Sequence, residues 1–596
     1  MSEKVVRIGG AAGFWGESDM ALPQLLREGG LDYIVFDYLA EVTLSIMARA
    51  RAKDPTKGYA TDFVTAVLAP NLSEIARQGV RIVSNAGGVN PVSCAQAVRD
   101  LIEQAGLDLT VAVVTGDDLL DKAQSFEAQT EMFSGAPFPA MDQVASINAY
   151  LGAFPIARAL QEGADIVITG RCVDSAVTLG ACIHAFDWAA DDLDKLAAGS
   201  LAGHILECGP QATGGNFTDW QLAIDGIEDI GYPVVEMGAD GDFICTKPDA
   251  TGGLVSRETV GEQMLYEIGD PRAYALPDVL CDFSEVVLEQ VGRGRVRVSG
   301  AKGRPAPDRY KVSLTYADGF RAGSIVFFQG EAAAEKARLF AEATFARARK
   351  KLRALNAPDF SETLVEVTGD DSSYGAAAQD VGSRDVALKI AARHPDMRAA
   401  GLLIKEMTGL ALATPPGLTL FAGGQSRPSP VVRLFSFLVP KADVPIRIAV
   451  GDRQIDMPPQ TGAAPPAIPP HAGPIPEGEA DTTVPLSRLA VARSGDKGDK
   501  ANIGVLPRRR EYAPWIWAAL NRAEIAKRFG HFIDGEPEPK VNRFYLPGTA
   551  SMNILLHDVL GGGGMASLRN DPQGKSYAQL LLATPIPIPS NLLETD

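Results

Sequence analysis

Nothing in this sequence brings cysteines together in pairs. The six, Cys94, Cys172, Cys182, Cys208, Cys245 and Cys281, are scattered without a CxxC. That excludes a zinc ribbon and a disulfide frame as organising devices. No apolar run approaches the ~20 residues of a membrane-spanning helix, and the opening MSEKVVRIGG has no signal-peptide core. A basic stripe is missing too: 56 Lys and Arg stand against 74 Asp and Glu, a formal net charge of −18. That excludes a nucleic-acid surface and attraction to anionic lipid. Neither a Walker lysine motif nor a dinucleotide GxGxxG follows the first strand, so phosphoryl transfer and nicotinamide chemistry lose their usual support. The expectation is a cytoplasmic protein with reduced thiols that handles small molecules, with neither nucleic acid nor membrane as partner.

What the chain has in quantity is glycine, 60 residues of 596, placed after strand-like runs. Val5 to Ile8 leads into GGAAGFWGES, with Gly13 at its centre. Tyr33 to Phe36 ends in Asp37-Tyr38, and Val80 to Val83 ends in Ser84-Asn85-Ala86-Gly87-Gly88-Val89-Asn90-Pro91. Thr110 to Val114 ends in Thr115-Gly116-Asp117-Asp118, and Asp165 to Ile168 in Thr169-Gly170-Arg171-Cys172-Val173-Asp174-Ser175. Helical stretches separate these runs, so the pattern predicts βαβ crossovers, a parallel sheet with helices on both faces, and five polar loops at its carboxyl edge.

The length predicts several domains. An α/β domain with glycine-rich loops is expected over 1–279, and an α+β part over 280–456. A Pro-rich linker is expected over 457–481 and a small α+β module over 482–596. Within these, Ala317-Asp318-Gly319 reads as a hairpin turn, Arg384 to Arg393 and Ser551 to Leu560 as helices, and Leu580 to Ile586 as a strand.

The stretch most unlike a fold-making segment is GHILECGPQATGGNFTDW, Gly203 to Trp220, where polar side chains alternate with glycine. His204, Glu207 and Cys208 stand at i, i+3 and i+4. On a helix they share a face, which suits acid–base work, a metal, or a satisfied structural histidine. Cys208 acts as a nucleophile only with a lowered thiol pKa. Arg171 and Asp174, with Ser175, either bind a carboxylate or phosphate or tie down their own loop. Asp117 and Asp118 share a proton, bind magnesium with solvent, or form a helix N-cap plus a first-turn acid. Lys247, before the loop with Gly252 and Gly253, is an anion contact or a surface lysine. Arg493-Ser494-Gly495-Asp496-Lys497-Gly498-Asp499-Lys500 joins two strands of the last module. It is a plain charged hairpin or a loop reaching toward the large domain's site or a partner subunit's.

The blocks GGAAGFWGES, LDYIVFDYLAEVTLSIMARAR, NAGGVNP, TGRCVDSAVTLG, GHILECGPQATGGNFTDW and TKPDATGGLVS resemble the acyclic terpene utilization protein AtuA family. ARSGDKGDKANIGV and SLRNDPQGK resemble the AtuA-like domain of ferredoxin fold. Together they cover nearly the whole sequence. The resemblance implies a ferredoxin-like C-terminal domain and a role in breakdown of acyclic terpenes or branched acyl-CoA compounds. The function expected is a hydratase or lyase acting on a carboxylate or CoA thioester. The alternative is a non-catalytic scaffold or regulatory subunit of an acyl-CoA-processing complex. The acid–base set expected is drawn from His204, Glu207, Asp174, Asp219 and Cys208. The anion-binding set is Gly13, Gly87, Gly88, Asn90, Arg171, Ser175, Gln211, Gly214, Gly215, Asn216, Lys247, Gly252, Gly253, Ser494 and Lys497. No metal and no cofactor are expected beyond CoA as part of a substrate, and a homo-oligomer is.

Overall fold

A computed structural model describes residues 4–379, 382–420 and 426–593. Its centre is five parallel strands in the order Val5–Gly10, Tyr33–Phe36, Arg81–Ser84, Ile166–Thr169, Val111–Thr115. Tyr33–Phe36 and Ile166–Thr169 are buried along their whole length, because helices cover both faces. Ala69–Gln78 and Pro91–Ala105 bury Leu72, Ile75, Val98 and Ile102 on one side. Phe154–Gln161, Ala176–Phe186 and Leu193–Leu206 bury Ile156, Leu179 and Leu201 on the other. Pro91–Ala105 shows why such helices start and stop. The Asn90 side chain accepts from the Ser93 N–H at its head, and Gly106 leaves the helix at φ 65°, a conformation that favours glycine.

Antiparallel strands widen this sheet to eleven. Val234–Gly238, Phe243–Thr246, Arg295–Ser299 and Val287–Gly292 extend one edge, and Arg447–Val450 and Arg453–Asp456 the other. Segments on either side of residue 279 therefore share one sheet. A second sheet of six strands is built on Arg309–Gln329, which pairs with Asp385–His394, Ser429–Pro440 and Val144–Ala149. Helices Ala333–Ala354 and Met397–Gly409 pack on it through Phe340, Phe345, Leu352 and Leu403.

Four local expectations are overturned. Ala317-Asp318-Gly319 is no hairpin turn: the strand runs straight through it with a register shift between Ala317 and Phe320. Residues 385–394 form a strand instead of a helix, because Arg309–Gln329 and Glu362–Thr368 hydrogen-bond it on both sides. Ser551–Leu556 is likewise a strand between two others. Tyr577–Leu582 is a helix, and the last strand is Pro585–Ile588.

Residues beyond 457 lie along the large domain. The Gln460 amide donates to Asp278 (3.2 Å), the Ala463 N–H to the Ala306 carbonyl (2.8 Å) and Arg272 to the Ile468 carbonyl (3.2 Å). The module that follows is a four-stranded antiparallel sheet in the order Ala490–Lys497, Lys500–Pro507, Ser551–Leu556, Val541–Leu546. One face carries helices Arg522–Phe529 and Tyr577–Leu582 over Ile503, Val505 and Ile554. The other face sits on helix Arg257–Leu265 of the large domain. The approach is close because Gly504 lacks a side chain: a Cβ there would stand 2.3 Å from the Leu265 Cβ. Val491, Leu506 and Leu546 join the large domain's core, each contributing about 1.5–3 kcal/mol by burial.

Candidate active site

The parallel strands deliver their last residues to one edge, where open α/β sheets bind ligands. Tyr33–Phe36 leads into Asp37, Arg81–Ser84 into Asn85, and Ile166–Thr169 into Gly170-Arg171. The C-terminal end of helix Leu193–Leu206 meets the same edge and brings His204 and Glu207 to it. All of these side chains are buried or nearly so: Arg171 is 3% exposed, His204 1% and Asp37 7%.

Arg171 is held from several sides. Its Nη1 donates to Asp174 at 2.6 Å, and its guanidinium lies 4.2 Å from the Tyr150 ring centre. The backbone N–H donates to Asp117 at 2.8 Å, and the Asn148 amide donates to the same carboxyl oxygen at 2.9 Å. Burial opposes the guanidinium's charge. Asp174, Tyr150, Glu41 and Asp37 outweigh it and raise the pKa well above its ordinary value. Burial pushes Asp117 up to about 7. It pushes Asp37 well above the carboxylate range, with Asp174 adding to the rise and Arg171 and the Asn85 amide opposing it. Tyr150 meets a second cation, with the Lys311 ammonium 4.6 Å from its ring centre. Its hydroxyl donates to Glu41. Burial alone would raise Glu41, but Lys311, Arg171 and Tyr150 bring it down to about 2.

His204 Nδ1 lies 2.9 Å from Glu207 Oε1. Among the described residues neither ring nitrogen has a hydrogen-bond partner of good geometry. Burial raises the Glu207 carboxyl, opposed by His204, with Asp174 adding to the rise and Lys497 opposing it. Tyr274 stands with its ring 6.0 Å from that of His204.

Lys497 comes from the C-terminal module, at the end of strand Ala490–Lys497. Its ammonium lies 5.4 Å from the Tyr274 ring centre and interacts with Glu267, Asp174 and Glu207. Lys497 keeps exposed surface although Tyr274 and these carboxylates crowd its charge, so the cluster opens to solvent at Lys497, and that opening is the cleft. Asp174 reaches the same cleft, with 37% of its side chain exposed.

The hairpin is fastened on both sides of Lys497. Arg493 Nη2 lies 2.9 Å from Glu262 and donates to the Gly215 carbonyl at 2.9 Å, while Nη1 donates to the Gln211 carbonyl at 3.1 Å. At the tip, Asp499 accepts from the N–H groups of Leu560 and Gly562 at 3.1 and 2.9 Å. A neighbouring cluster adjoins it: Lys575 donates to Glu267 at 3.0 Å and to the Tyr266 hydroxyl, and burial with Glu267 pushes Asp496 up to about 7.

The structure thus gathers His204, Glu207, Arg171, Asp174 and Lys497. The other expected site residues have different work. Burial, with Glu207 and Glu267, raises the Cys208 thiol well above its ordinary value, which removes it as a thiolate nucleophile. Asp219 forms a two-pronged ion pair with Arg508 of the small module, outside the cluster. Ser175 packs under Gly203.

Gly13 presses on the backbone of Glu207 and Cys208, and its N–H donates to Glu17 at 2.6 Å. The anion seat of the first glycine loop is filled by the protein's own carboxyl. Gly87 lies against the Thr169 carbonyl and Gly88 against Met47. Asn90 caps its helix and donates to the Pro55 and Lys57 carbonyls. The Gln211 and Gly215 carbonyls receive Arg493, Gly214 lies against Ala223 and Leu254, and Asn216 is exposed. Gly252 packs on Gly226 and Gly253 on the Thr213 carbonyl. The Lys247 ammonium donates to Thr251. The Ser494 hydroxyl donates to the Gly574 carbonyl at 2.6 Å and accepts from the Ala578 N–H at 2.9 Å, inside the module. Asp118 pairs with Arg51, while Asp117 braces the Arg171 loop.

Sequence reading missed Glu41, Tyr150, Tyr274 and Lys311, and named Asp37 only as a strand's end. An acid directly after an apolar strand is a readable signal. Tyr150 and Lys311 carry none, because the cross-sheet hydrogen bond from the Tyr150 N–H to the Lys311 carbonyl brings them together.

Two open hollows lie elsewhere. One of about 890 Å³ is lined by Arg321, Ile325, Met407 and Leu568. The other, of about 400 Å³, surrounds Asp318, Arg393 and Arg433. Asp318 and Arg321 are seven and ten residues along their strand from Lys311, roughly 23 and 33 Å at the usual rise, so neither hollow is the cleft.

The family model for the acyclic terpene utilisation family protein AtuA matches residues 6–450. That for the AtuA ferredoxin-like domain matches residues 484–587. No curated protein and no solved structure matches the chain. With one model covering most of the length and a second covering the module that supplies Lys497, the chain belongs to the acyclic terpene utilisation family AtuA.

Proposed function

We propose that this cleft is the active site of an enzyme of acyclic-terpene or branched-acyl breakdown, a hydratase or lyase acting next to a carboxylate or CoA thioester carbonyl. The observation that carries the reading is the pair His204–Glu207, 2.9 Å apart, at the sheet's carboxyl edge beside the solvent-reaching Asp174. A carboxyl whose pKa burial has raised holds a transferred proton more readily than an exposed one, which suits general acid–base catalysis. Arg171 is enclosed and already paired, so its role is to fix Asp174 and the loop. Asp117 positions that loop from behind. Nothing in this arrangement calls for a redox group, and none is proposed.

Calorimetric titration with 3-methylcrotonyl-CoA, with free 3-methylcrotonate and with CoA alone tests the reading. Saturable binding of the thioester or the acid, followed by loss of the conjugated double bond's absorbance, is expected. Heats indistinguishable from dilution for both compounds would sink it.

A further inference from the structure

Three cations border the cleft, and they differ in what they have left to offer. Arg171 is 3% exposed, donates to Asp174 and stacks on Tyr150. Lys311 is 3.7 Å from Glu41 and 4.6 Å from the ring centre of the same tyrosine. Lys497 is different. It is exposed to the cleft, and among the described residues no carboxylate stands within ion-pair distance of its ammonium. Its partner is a tyrosine, Tyr274, at 5.4 Å.

We propose that Lys497, supplied by the small C-terminal module, is a catalytic residue of the large domain's site, and that its ammonium receives the carbonyl oxygen of an acyl thioester or free acid held in the cleft. The inference rests on the reading above and deepens it.

Geometry supports this in two further ways. First, the segment carrying Lys497 is rigid where it matters. Arg493 locks one end against Glu262 and Asp499 locks the other. A fixed base is what a substrate-meeting group needs. Second, the surroundings keep the group charged. Burial works against the ammonium, but Tyr274, Glu267, Asp174 and Glu207 outweigh it and raise its pKa. An amine held protonated is a poor nucleophile, so the role is electrostatic stabilisation and not imine formation.

The chemistry then closes with the groups at hand. The Glu207 carboxylate takes the proton from the carbon next to the carbonyl. The C–H electron pair moves into the adjacent C–C bond, and the carbonyl oxygen becomes an enolate oxygen facing the ammonium. As the carbonyl re-forms, a β-hydroxyl leaves, takes the proton back from Glu207 and departs as water. The reverse sequence adds water to the double bond.

The test compares wild type, Lys497→Met and Lys497→Arg by calorimetry with 3-methylcrotonyl-CoA and by turnover of the same compound, with melting temperature as the folding control. Loss of one charge-assisted contact predicts roughly tenfold or greater weakening of binding in Lys497→Met. Loss of an oxyanion partner predicts about a hundredfold fall in kcat. Lys497→Arg keeps the charge and is expected to recover part of both. Equal affinity and kcat in wild type and Lys497→Met overturns the inference while leaving the acid–base reading in place. Absence of binding by wild type overturns both. If Lys497→Met fails to melt cooperatively, Lys497→Gln takes its place and is judged by the same falls in affinity and kcat.

Discussion

Residues 9–18 and residues 493–500 look alike on paper: each is short, rich in glycine, and carries charge beside a strand. The structure uses them oppositely. In the first loop the N–H of Gly13 is taken by Glu17 and the glycines admit the backbone of Glu207 and Cys208. In the second, Arg493 and Asp499 fasten the ends and Lys497 is left pointing into a cleft. Glycine in a loop thus signals close approach, and what approaches is as often the protein itself as a ligand. A cation with no carboxylate at ion-pair distance, on a fastened hairpin, is the more specific sign of a site.

That contrast can be broken or sharpened by mutation. The largest effect is expected from Glu207→Gln, which removes the proton acceptor: kcat should fall by about 10²–10⁴ with little change in urea stability. A variant with normal turnover would move the chemistry elsewhere. Next is Arg493→Met, which leaves Glu262 buried without its cation at 0% side-chain exposure. Stranding one member of a buried pair costs about 3–5 kcal/mol, read as a lower urea midpoint or as separate unfolding of the C-terminal module. Gly87→Ala puts a Cβ 2.4 Å from the Thr169 carbonyl and should cost about 1–3 kcal/mol by overpacking, with ligand affinity changed far less than by Lys497→Met. If Gly87→Ala instead abolishes binding at unchanged stability, the rim loops are ligand loops after all.

The smallest effect is a slope. Asp117 titrates at about 7 in the fold against an ordinary 3.8, so between those values the folded state holds a proton that the unfolded state has lost. Its contribution to stability is complete below the unfolded value and disappears as pH rises through about 7. Asp117→Asn should flatten that decline in melting temperature. A profile identical to wild type would show that the carboxyl is ionised in the fold.

The fold was legible where the pattern was local. Strand, loop and helix repeats over the first 170 residues gave the parallel sheet, since apolar runs separated by helical stretches permit little else. Legibility failed where neighbours decide. DVALKIAARH has helix-forming residues, yet strands on both sides make it a strand. SMNILL is a short apolar run whose period cannot separate helix from strand. In the site, His204 with Glu207 and Arg171 with Asp174 could be read because each pair is three residues apart. Lys497 could be read as the charged end of an elaborate hairpin. The Tyr150–Glu41–Lys311 group could not, because its members come from three elements that meet only in the folded sheet.

The segment following residue 457 has one more consequence. Because it ties the small module to the large domain's flank, the module never searches for its seat from bulk solution. Tethering of this kind sets a local concentration on the order of millimolar. The seat, in which Val491, Leu506 and Leu546 meet the large domain's core and the Asn502 amide donates to the Leu265 carbonyl at 2.7 Å, can therefore be modest as an affinity between separate pieces and still be occupied nearly all the time.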